Sequence, residues 1–295
     1  MDIKAAMAEA AEAVAETMDR LLTLPDGPEA RVVEAMRYSA LGGGKRLRAF
    51  LVLQTAELFS VSSSCALRVA ASVEFLHAYS LIHDDLPAMD DSDMRRGQPS
   101  CHKAFDEATA VLAGDALLTY AFEVLAHEDT HNDPKVRADL VLALARASGT
   151  QGMVGGQMLD LLAEDMTEID ASLITRLQRM KTAELICFCC EAGAILGKAG
   201  PAARHTLHSY GQEMGLAFQI ADDLLDIEGD SSVTGKPTGL DNAAGKATLV
   251  AALGVENARG HARLLVGQAA GHLDFFGDKA KLLKQLARFV VERQA

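Results

Sequence analysis

Several helical stretches of this chain are apolar on more than one face, and two of them carry clusters of aspartate. They are AASVEFLHAYSLIHDD at 70–85 and MGLAFQIADDLLDI at 214–227. A helix that is apolar all round has to be buried among other helices. Sites in helical bundles are built from side chains that project into the bundle interior. The pattern therefore predicts a large bundle whose central helices hold two acidic sites.

The composition favours helices along the whole chain. Hydrophobic residues make up 49% of the 295 residues, aromatic residues only 5%, and tryptophan is absent. The abundant Ala and Leu are strong helix formers, and no alternating pattern bounded by hairpin turns indicates a strand. Helices are predicted at 3–22, 29–39, 46–58, 64–84, 101–107, 109–127, 134–148, 151–163, 168–197, 201–228, 242–254, 255–274 and 279–293. We expect one all-α domain over residues 1–295.

Charge and cysteine usage argue against several classes of protein. A net charge of −13 does not suit a nucleic-acid-binding protein, which needs a basic face. The five cysteines are odd in number and unevenly spaced, which is typical of a reduced protein rather than a disulfide framework. No signal peptide opens the chain, and no apolar run approaches the roughly 18 residues of a membrane span. We expect a cytoplasmic protein that does not cross a membrane.

The second aspartate cluster, DDLLD at 222–226, fits one face of a helix. Asp222 and Asp226 are four residues apart and therefore project from the same face. Asp223 points about 100° away, which indicates a supporting or capping role. Gln219 lies one turn before Asp222 on the same face and can offer a neutral amide oxygen to a developing cation.

The first cluster, DDLPAMD at 84–90, requires a different shape. Pro87 disfavours helix at the residue before it, so the helix should end near Asp85. Asp90 then returns from a short loop, and its carboxylate and that of Asp84 can reach one cation. Converging carboxylates repel each other unless a cation lies between them, and their oxygens suit Mg²⁺ that is shared with substrate phosphates. Both clusters therefore indicate Mg²⁺ bound to a diphosphate.

Small basic sets accompany the aspartates, although the chain as a whole is acidic. GGGKRLR at 42–48 is a glycine-rich turn that opens a helix and can bring N–H groups and cations to phosphate oxygens. It does not match the nucleotide-binding P-loop. His77 shares a helical face with Asp84 and can add a donor to a second phosphate. The other polar candidates are Arg95, Arg96, Lys236, Lys246 and the pair Lys181-Thr182.

In combination these motifs resemble those of a known family. GGGKRLR, HAYSLIHDDLPAMDDSDMRRG, Lys181-Thr182, AFQIADDLLD and the GKPTG and GKATL segments follow the order found in trans-prenyltransferases, the isoprenyl (polyprenyl) diphosphate synthases. The four residues between Asp85 and Asp90 make the first motif similar to that of bacterial farnesyl diphosphate synthases. Plant-type geranylgeranyl diphosphate synthases share this length. The resemblance implies a single large bundle of the isoprenoid synthase type with a central active-site cavity.

The resemblance also implies a role for each matching position. Mg²⁺ on the allylic diphosphate would be held by Asp84, Asp85, Asp90, Asp222 and Asp226. The same diphosphate would be neutralised by Arg95, Lys181, Lys236 and Lys246. The diphosphate of isopentenyl diphosphate would be bound by Gly44, Lys45, Arg48, His77 and Arg96. Thr182 and Gln219 would face the reacting carbons, and Tyr79 and Ser80 would form the floor of the pocket for the growing chain.

The implied reaction condenses isopentenyl diphosphate with dimethylallyl or geranyl diphosphate to give farnesyl diphosphate, and the implied assembly is a homodimer. The near alternative is a geranylgeranyl diphosphate synthase with a C20 product. A class I terpene cyclase usually carries a second motif of Asn, Ser and Glu, whereas this chain has DDLLD and basic residues for a second diphosphate. A non-catalytic subunit would tend to lose an aspartate cluster or the basic residues, and both are present in this chain.

Overall fold

The computed structural model describes residues 2–164, 166, 170–228 and 248–292, without the side chain of Glu164. The chain divides into two compact units. One unit comprises Met1–Leu53 and Val61–Val141, and the other comprises Gln54–Ser60 and Leu142–Ala295. Within the described ranges all regular structure is helical apart from one short hairpin, so the predicted all-α class is confirmed.

The first unit is built from the N-terminal helices and the hairpin. In chain order its elements are α1 (Ile3–Leu21), α2 (Ala30–Leu41), the start of α3 (Leu47–Leu58), α4 (Ser63–Asp84), β1 (Met94–Arg95), β2 (Gln98–Pro99), α5 (Cys101–Ala104), α6 (Glu107–Ala126), a 3-10 turn (Glu128–Thr130) and the start of α7 (Pro134–Ser148). The antiparallel strands pair Met94 with Pro99 and Arg95 with Gln98.

The second unit contains the rest of the described chain. Its elements are the ends of α3 and α7, then α8 (Met153–Glu164), α9 (Ala171–Gln178), a π-helical turn (Arg179–Ala183), α10 (Glu184–Leu196), α11 (Pro201–Glu228), α12 (Leu249–Leu253), α13 (Val255–His272), a 3-10 segment (Leu273–Ala280) and α14 (Lys281–Glu292).

Side-chain caps and prolines fix where the helices begin. Asp106 accepts a hydrogen bond from Thr109 N at 2.8 Å and so caps α6, and Asp170 caps α9 through Leu173 N at 2.7 Å. Such caps satisfy backbone N–H groups that have no partner within the helix. Helices α7 and α11 begin at Pro134 and Pro201, where the missing N–H costs nothing.

Helix α4 forms the centre of the first unit and packs against α6 and α1. Phe75 and Leu76 on α4 are fully buried, and the Phe75 ring lies 5.4 Å from that of Tyr120 on α6. The buried Ser72 hydroxyl donates to Ala121 O at 2.7 Å, so this polar group is satisfied within the core. Residues of α4 are therefore buried on several sides, as the apolar pattern predicted.

Helix α11 has the corresponding place in the second unit, where it packs against α10 and α13. Glycines allow close approach on the α10 side. A Cβ added at Gly211 would lie 2.7 Å from Cys187 Cα, and one at Gly215 would lie 2.7 Å from Ala183 Cα. On the α13 side, Ile220 and Leu224 join a buried cluster with Ala258, Ala262 and Leu265.

The structure departs from the sequence prediction in three elements. The hairpin at 94–99 was not predicted, because strands of two residues are too short to show an alternating pattern. The helix predicted over 168–197 is interrupted by the π-helical turn at Arg179–Ala183. The start of the predicted helix 279–293 is a 3-10 segment, in which Gly277 has a positive φ of 57°. Most of the predicted segment before Leu249 lies outside the described residues.

By length and composition alone, α4 and α6 are apolar enough to cross a membrane. Core helices pass the same test, and 61% of the relevant α4 window is buried inside the protein. Helix α4 also carries the buried Glu74. These two helices are therefore weak evidence for a membrane span.

Gly193 provides a test of the packing in the second unit. A Cβ at Gly193 would lie 2.3 Å from Thr55 C and Ala56 N, which are backbone atoms that cannot move independently. We expect Gly193→Ala to lower the free energy of unfolding by about 1–3 kcal/mol. The matched control is Gly267→Ala on α13, where nothing lies within 4 Å and the higher helix propensity of alanine should stabilise. Urea denaturation measures the free energy of unfolding of both variants. Equal changes in this free energy would contradict the account.

Candidate active site

The glycine-rich turn (residues 42–46) has an unusual backbone. Gly43, Gly44 and Arg46 have positive φ values of 86°, 115° and 47°. This left-handed conformation is accessible to glycine but costs roughly 1–2 kcal/mol for an arginine. Lys45 is exposed on the turn, and α3 begins directly after it at Leu47. The turn therefore presents a lysine at the start of a helix, as predicted.

Arg96 lies against this turn. Its Nη1 donates to Gly43 O at 2.5 Å. A Cβ at Gly44 would lie 2.9 Å from the Arg96 guanidinium carbon, so the absence of a side chain at Gly44 lets the arginine approach. Gly44, Lys45 and Arg96, for which the family resemblance implies one shared diphosphate, therefore belong to one local structure.

Arg48 and His77 extend the same basic set. Arg48 Nη1 lies 3.4 Å from His77 Nε2. Burial, followed by the charges of Arg48, Arg96, Arg46 and Arg95, lowers the pKa of His77 well below its ordinary value of 6.5. The neutral ring therefore accepts from Arg48 through Nε2 and carries its proton on Nδ1. Arg48 Nε is buried and makes no hydrogen bond within the described part of the chain, so it is a donor that a phosphate oxygen can satisfy.

The first aspartate cluster has the predicted turn. Helix α4 ends at Asp84, and Asp90 N donates to Asp84 O at 2.9 Å, so the loop returns to the helix end. Asp84 is half-buried and Asp90 is exposed. The proline-containing loop thus returns to the helix end, and the binding of one cation by the Asp84 and Asp90 carboxylates stays a prediction.

Asp85 differs from its neighbours because its side chain is only 3% exposed and is bound by Arg95. Arg95 Nε lies 3.1 and 3.2 Å from the two Asp85 carboxylate oxygens, and Arg95 Nη2 lies 2.5 Å from Oδ1. Both oxygens therefore already accept hydrogen bonds. The geometry favours Asp84 and Asp90 over Asp85 as metal ligands, and the metal role of Asp85 stays a prediction.

In the second unit, the π-helical turn carries Lys181 and Thr182. Its i→i+5 bond runs from Glu184 N to Arg179 O. A Cβ at Gly156 of α8 would lie 2.2 Å from Lys181 N, so the turn packs directly on a glycine. Turns of this kind occur frequently at functional sites. Lys181 Nζ donates to Asp160 Oδ2 at 2.5 Å.

Thr182 and Gln219 are in direct contact, although the sequence did not predict this. The Thr182 hydroxyl donates to Gln219 Oε1 at 2.9 Å. Gln219 Nε2 donates to Asp223 Oδ1 at 2.9 Å, and Gln178 Nε2 donates to Asp223 Oδ2 at 3.0 Å. Asp223 is buried and accepts from one amide on α9 and one on α11, which agrees with its predicted supporting role.

The carboxylate oxygens of the second aspartate cluster are suitable ligands for Mg²⁺. Asp222 is exposed and Asp226 is half-buried on the same helix. Among the described residues no three acidic, imidazole or thiol side chains form a ready metal cluster. Mg²⁺ rarely has an all-protein cage and is usually bound by one or two carboxylates, water and substrate phosphates. Pairs of accessible carboxylates therefore fit this ion.

Tyr79 and Ser80, the predicted floor of the pocket, both lie on α4. Tyr79 is half-buried, and its ring meets the edge of His83 at a centroid distance of 5.0 Å. The Ser80 hydroxyl donates to His77 O at 2.9 Å. Lys236 and Lys246 lie outside the described residues.

Comparison with known proteins identifies the family. A family model described as Polyprenyl synthetase matches residues 29–286. The chain belongs to the polyprenyl synthetase family. The farnesyl diphosphate synthase of Escherichia coli (strain K12) is 46% identical over 267 residues, which cover 89% of each chain. A heterodimeric geranylgeranyl pyrophosphate synthase large subunit of Arabidopsis thaliana is 40% identical over 290 residues, covering 96% of this chain and 77% of that protein.

A solved structure supports the same membership of the polyprenyl synthetase family. The apo structure of an FPP/GFPP synthase from Zymomonas mobilis is 50% identical, covers 98% of each chain and has a TM-score of 0.90. The isoprenoid synthase fold predicted from the motifs is therefore confirmed.

Three residues of this polyprenyl synthetase were not predicted to contribute to the site. They are Glu74, Asp160 and Gln178. Glu74 had a detectable signal, because it is an acidic residue within the apolar run AASVEFLHAYS. Asp160 and Gln178 had no such signal in the sequence, since each occupies an ordinary polar position on an amphipathic helix. Their partners come from distant parts of the chain.

The low pKa of His77 can be tested directly. We expect the His77 imidazole to stay neutral, with no titration between about pH 8 and pH 6, because burial and arginine charges disfavour the protonated ring. Long-range ¹⁵N–¹H NMR spectra across this range measure the protonation state, and His77→Gln assigns the signal. The urea-unfolded protein is the control and should titrate near the ordinary histidine value. A folded-state midpoint near 6.5 would contradict the account.

Proposed function

We propose that this protein is a trans-prenyltransferase of the farnesyl diphosphate synthase type. It condenses isopentenyl diphosphate with dimethylallyl or geranyl diphosphate and releases diphosphate. The observation that carries the proposal is the basic set at the glycine-rich turn, where Arg96 donates to Gly43 O and Arg48 lies 3.4 Å from His77, in a chain of net charge −13. Such local charge suits a diphosphate. The similarity to farnesyl diphosphate synthases over most of the chain supports the proposed product.

The two diphosphates are proposed to bind to different residues. Isopentenyl diphosphate binds through Gly44, Lys45, Arg48, His77 and Arg96. The allylic diphosphate binds through Arg95, Lys181, Lys236 and Lys246, and its Mg²⁺ ions through Asp84, Asp85, Asp90, Asp222 and Asp226. When bound, Mg²⁺ supplies positive charge that stabilises the diphosphate as it leaves.

The chain's own residues are proposed to act mainly by charge and position. Arginine and lysine side chains neutralise the leaving diphosphate, since a fixed cation in a dry site stabilises developing charge more than water does. Thr182 and Gln219 place neutral oxygens beside the allylic cation. The C=C bond of isopentenyl diphosphate attacks this cation, and the proton that is then lost passes to the departing diphosphate. Apolar side chains of the surrounding helices would exclude water that could quench the cation.

The wider assignments are also proposals. Residues 1–295 act as one functional domain, the protein forms a homodimer, and it is cytoplasmic and does not span a membrane. Its partners are small-molecule diphosphates rather than nucleic acid.

The reaction can be tested by product analysis. Purified protein is incubated with labelled isopentenyl diphosphate, geranyl diphosphate and Mg²⁺, and the dephosphorylated products are separated by chain length. A dominant C15 product supports the proposal, and chelation of Mg²⁺ should abolish it. A dominant C20 product would favour the geranylgeranyl alternative. Absence of turnover in folded protein would indicate a non-catalytic subunit, and a cyclic hydrocarbon would indicate a terpene cyclase.

The aspartates are tested by neutral substitutions of similar shape. We expect Asp84→Asn and Asp222→Asn each to lower kcat/KM for geranyl diphosphate by roughly 10²–10⁴-fold and to raise the Mg²⁺ concentration for half-maximal activity, because charge stabilisation of the leaving group is lost. Asp129→Asn, at an exposed position in the 3-10 turn after α6, is the control. Steady-state kinetics in a Mg²⁺ titration measures these effects. An unchanged Mg²⁺ dependence in both variants would disprove the metal assignment.

The proposed floor of the chain-elongation pocket is tested at Tyr79. Tyr79→Ala removes the aromatic ring, so we expect products longer than C15 to become dominant. Tyr120→Phe, which removes only a hydroxyl that donates to Leu21 O, is the control and should keep the parental product. Product chromatography gives the distribution, and a C15 product from Tyr79→Ala would show that another residue stops elongation.

A further inference from the structure

The backbone at Arg46 needs an explanation, because a side chain stands where glycine would be more favourable. Its φ of 47° lies in the left-handed region, as do those of Gly43 and Gly44 in the same turn. Strained residues persist where the surroundings fix them, and they cluster at functional sites. The contacts of the Arg46 side chain show what fixes it.

The Arg46 side chain is 4% exposed and ion-paired with Glu74 of α4, which is 2% exposed. Arg46 Nη1 lies 3.0 Å from Glu74 Oε2, and Arg46 Nη2 donates to Ala40 O at 2.6 Å. One guanidinium thus ties the turn to the end of α2 and to α4. A buried charge pair that loses one partner leaves the other charge uncompensated, so neither residue can be replaced independently.

The other oxygen of Glu74 holds the start of α3. Glu74 Oε1 accepts from Ala49 N at 3.2 Å, within the first turn of the helix. It therefore acts as an N-terminal cap supplied by a different helix, and its negative charge is favourable at that end of the helix dipole. Phe50 N, in turn, donates to Arg46 O at 2.9 Å. Glu74 consequently fixes the two positions that flank Leu47 and Arg48, and the first of them, Arg46, directly follows Lys45.

Glu74 and His77 lie three residues apart on α4, so they face the same side. Glu74 holds Arg46, and His77 holds Arg48. Two neighbouring α4 residues thereby set the directions of two arginines, Arg46 at the end of the glycine-rich turn and Arg48 at the start of α3. Of these two arginines, only Arg48 keeps a buried donor, Nε, that makes no hydrogen bond within the described ranges.

We propose that Glu74 is a positioning residue for the second diphosphate. By fixing Arg46 and the first turn of α3, it places Lys45 and Arg48 where they bind isopentenyl diphosphate, and it contributes little to binding of the allylic diphosphate. This inference rests on the proposed function. Glu74 would thereby control the affinity for isopentenyl diphosphate but not for the allylic diphosphate.

The test separates the two substrates by their KM values. Glu74→Gln keeps the shape but leaves one amide oxygen for two donors, so either Arg46 or Ala49 N loses its partner. We expect KM for isopentenyl diphosphate to rise about tenfold or more while KM for geranyl diphosphate changes less than about twofold. Glu74→Asp keeps the charge and should recover part of the loss.

Asp106→Asn is the matched control. Asp106 also caps a helix of the first unit and binds an arginine, with Arg31 Nη2 at 2.8 Å and Thr109 N at 2.8 Å, but it lies outside the glycine-rich turn. Asp106→Asn should lower thermal stability and leave both KM values unchanged. Equal KM changes for both substrates in Glu74→Gln, or the same changes in Asp106→Asn, would overturn the proposal.

The positioning role of Glu74 can be tested even if the Glu74→Gln variant does not fold. If Glu74→Gln does not fold, Glu74→Asp and Arg46→Lys take its place, and each should raise KM for isopentenyl diphosphate selectively. An unchanged KM in both would overturn the positioning role. Failure of the proposed function is distinguishable, because the parental protein would then not consume isopentenyl diphosphate at all.

Discussion

The site in the first unit depends on ionisable groups carried by a helix that is otherwise apolar. Helix α4 brings Glu74, His77 and Asp85 into an environment where an unpaired charge would be strongly unfavourable. Glu74 is ion-paired with Arg46 and Asp85 with Arg95, while His77 stays neutral and accepts a hydrogen bond from Arg48.

These pairings make a cationic site possible in an acidic protein. The arginines cannot relax toward solvent without leaving a buried partner behind, so their positions are set before substrate binds. His77 contributes by staying neutral, because a protonated ring would repel the guanidinium groups around it. The polar loop after α4 leaves Asp84 half-buried and Asp90 exposed, whereas Asp85 is already bound by Arg95.

The polar groups of the second unit are arranged by a different principle. A buried carboxylate, Asp223, receives amide donors from Gln219 and Gln178, and Gln219 in turn accepts from Thr182. This network fixes neutral oxygens rather than cations. Such groups are suited to lie beside a carbocation, since they stabilise positive charge without forming a covalent bond. The glycine contact at Gly156 holds the π-helical turn that supplies Thr182.

Much of this organisation could be predicted from the sequence. Helix periodicity gave the all-α class, and the rule for residues before proline placed the end of α4 at Asp84–Asp85. The one-turn spacing of Asp222 and Asp226 placed both on one helical face. The π-helical turn and the two-residue strands could not be predicted, because they depend on tertiary contacts and leave no period in the sequence. Glu74 was missed for a related reason. A charged residue in an apolar run implies that an oppositely charged residue is nearby, but the sequence does not say which residue that is.

The central claim is that the accessible Asp84 and Asp222 hold metal on a diphosphate, whereas the buried Asp223 and Glu74 position other residues. A crystal structure with Mn²⁺ and a non-ionisable thio analogue of the allylic diphosphate tests it most directly, since anomalous scattering locates the metal. The account predicts Mn²⁺ bound by Asp84 and Asp222 and by the analogue's phosphate oxygens, with Asp223 still bound to its two glutamines. Bound analogue without metal at these aspartates, or metal on Asp223 or Glu74, would contradict it.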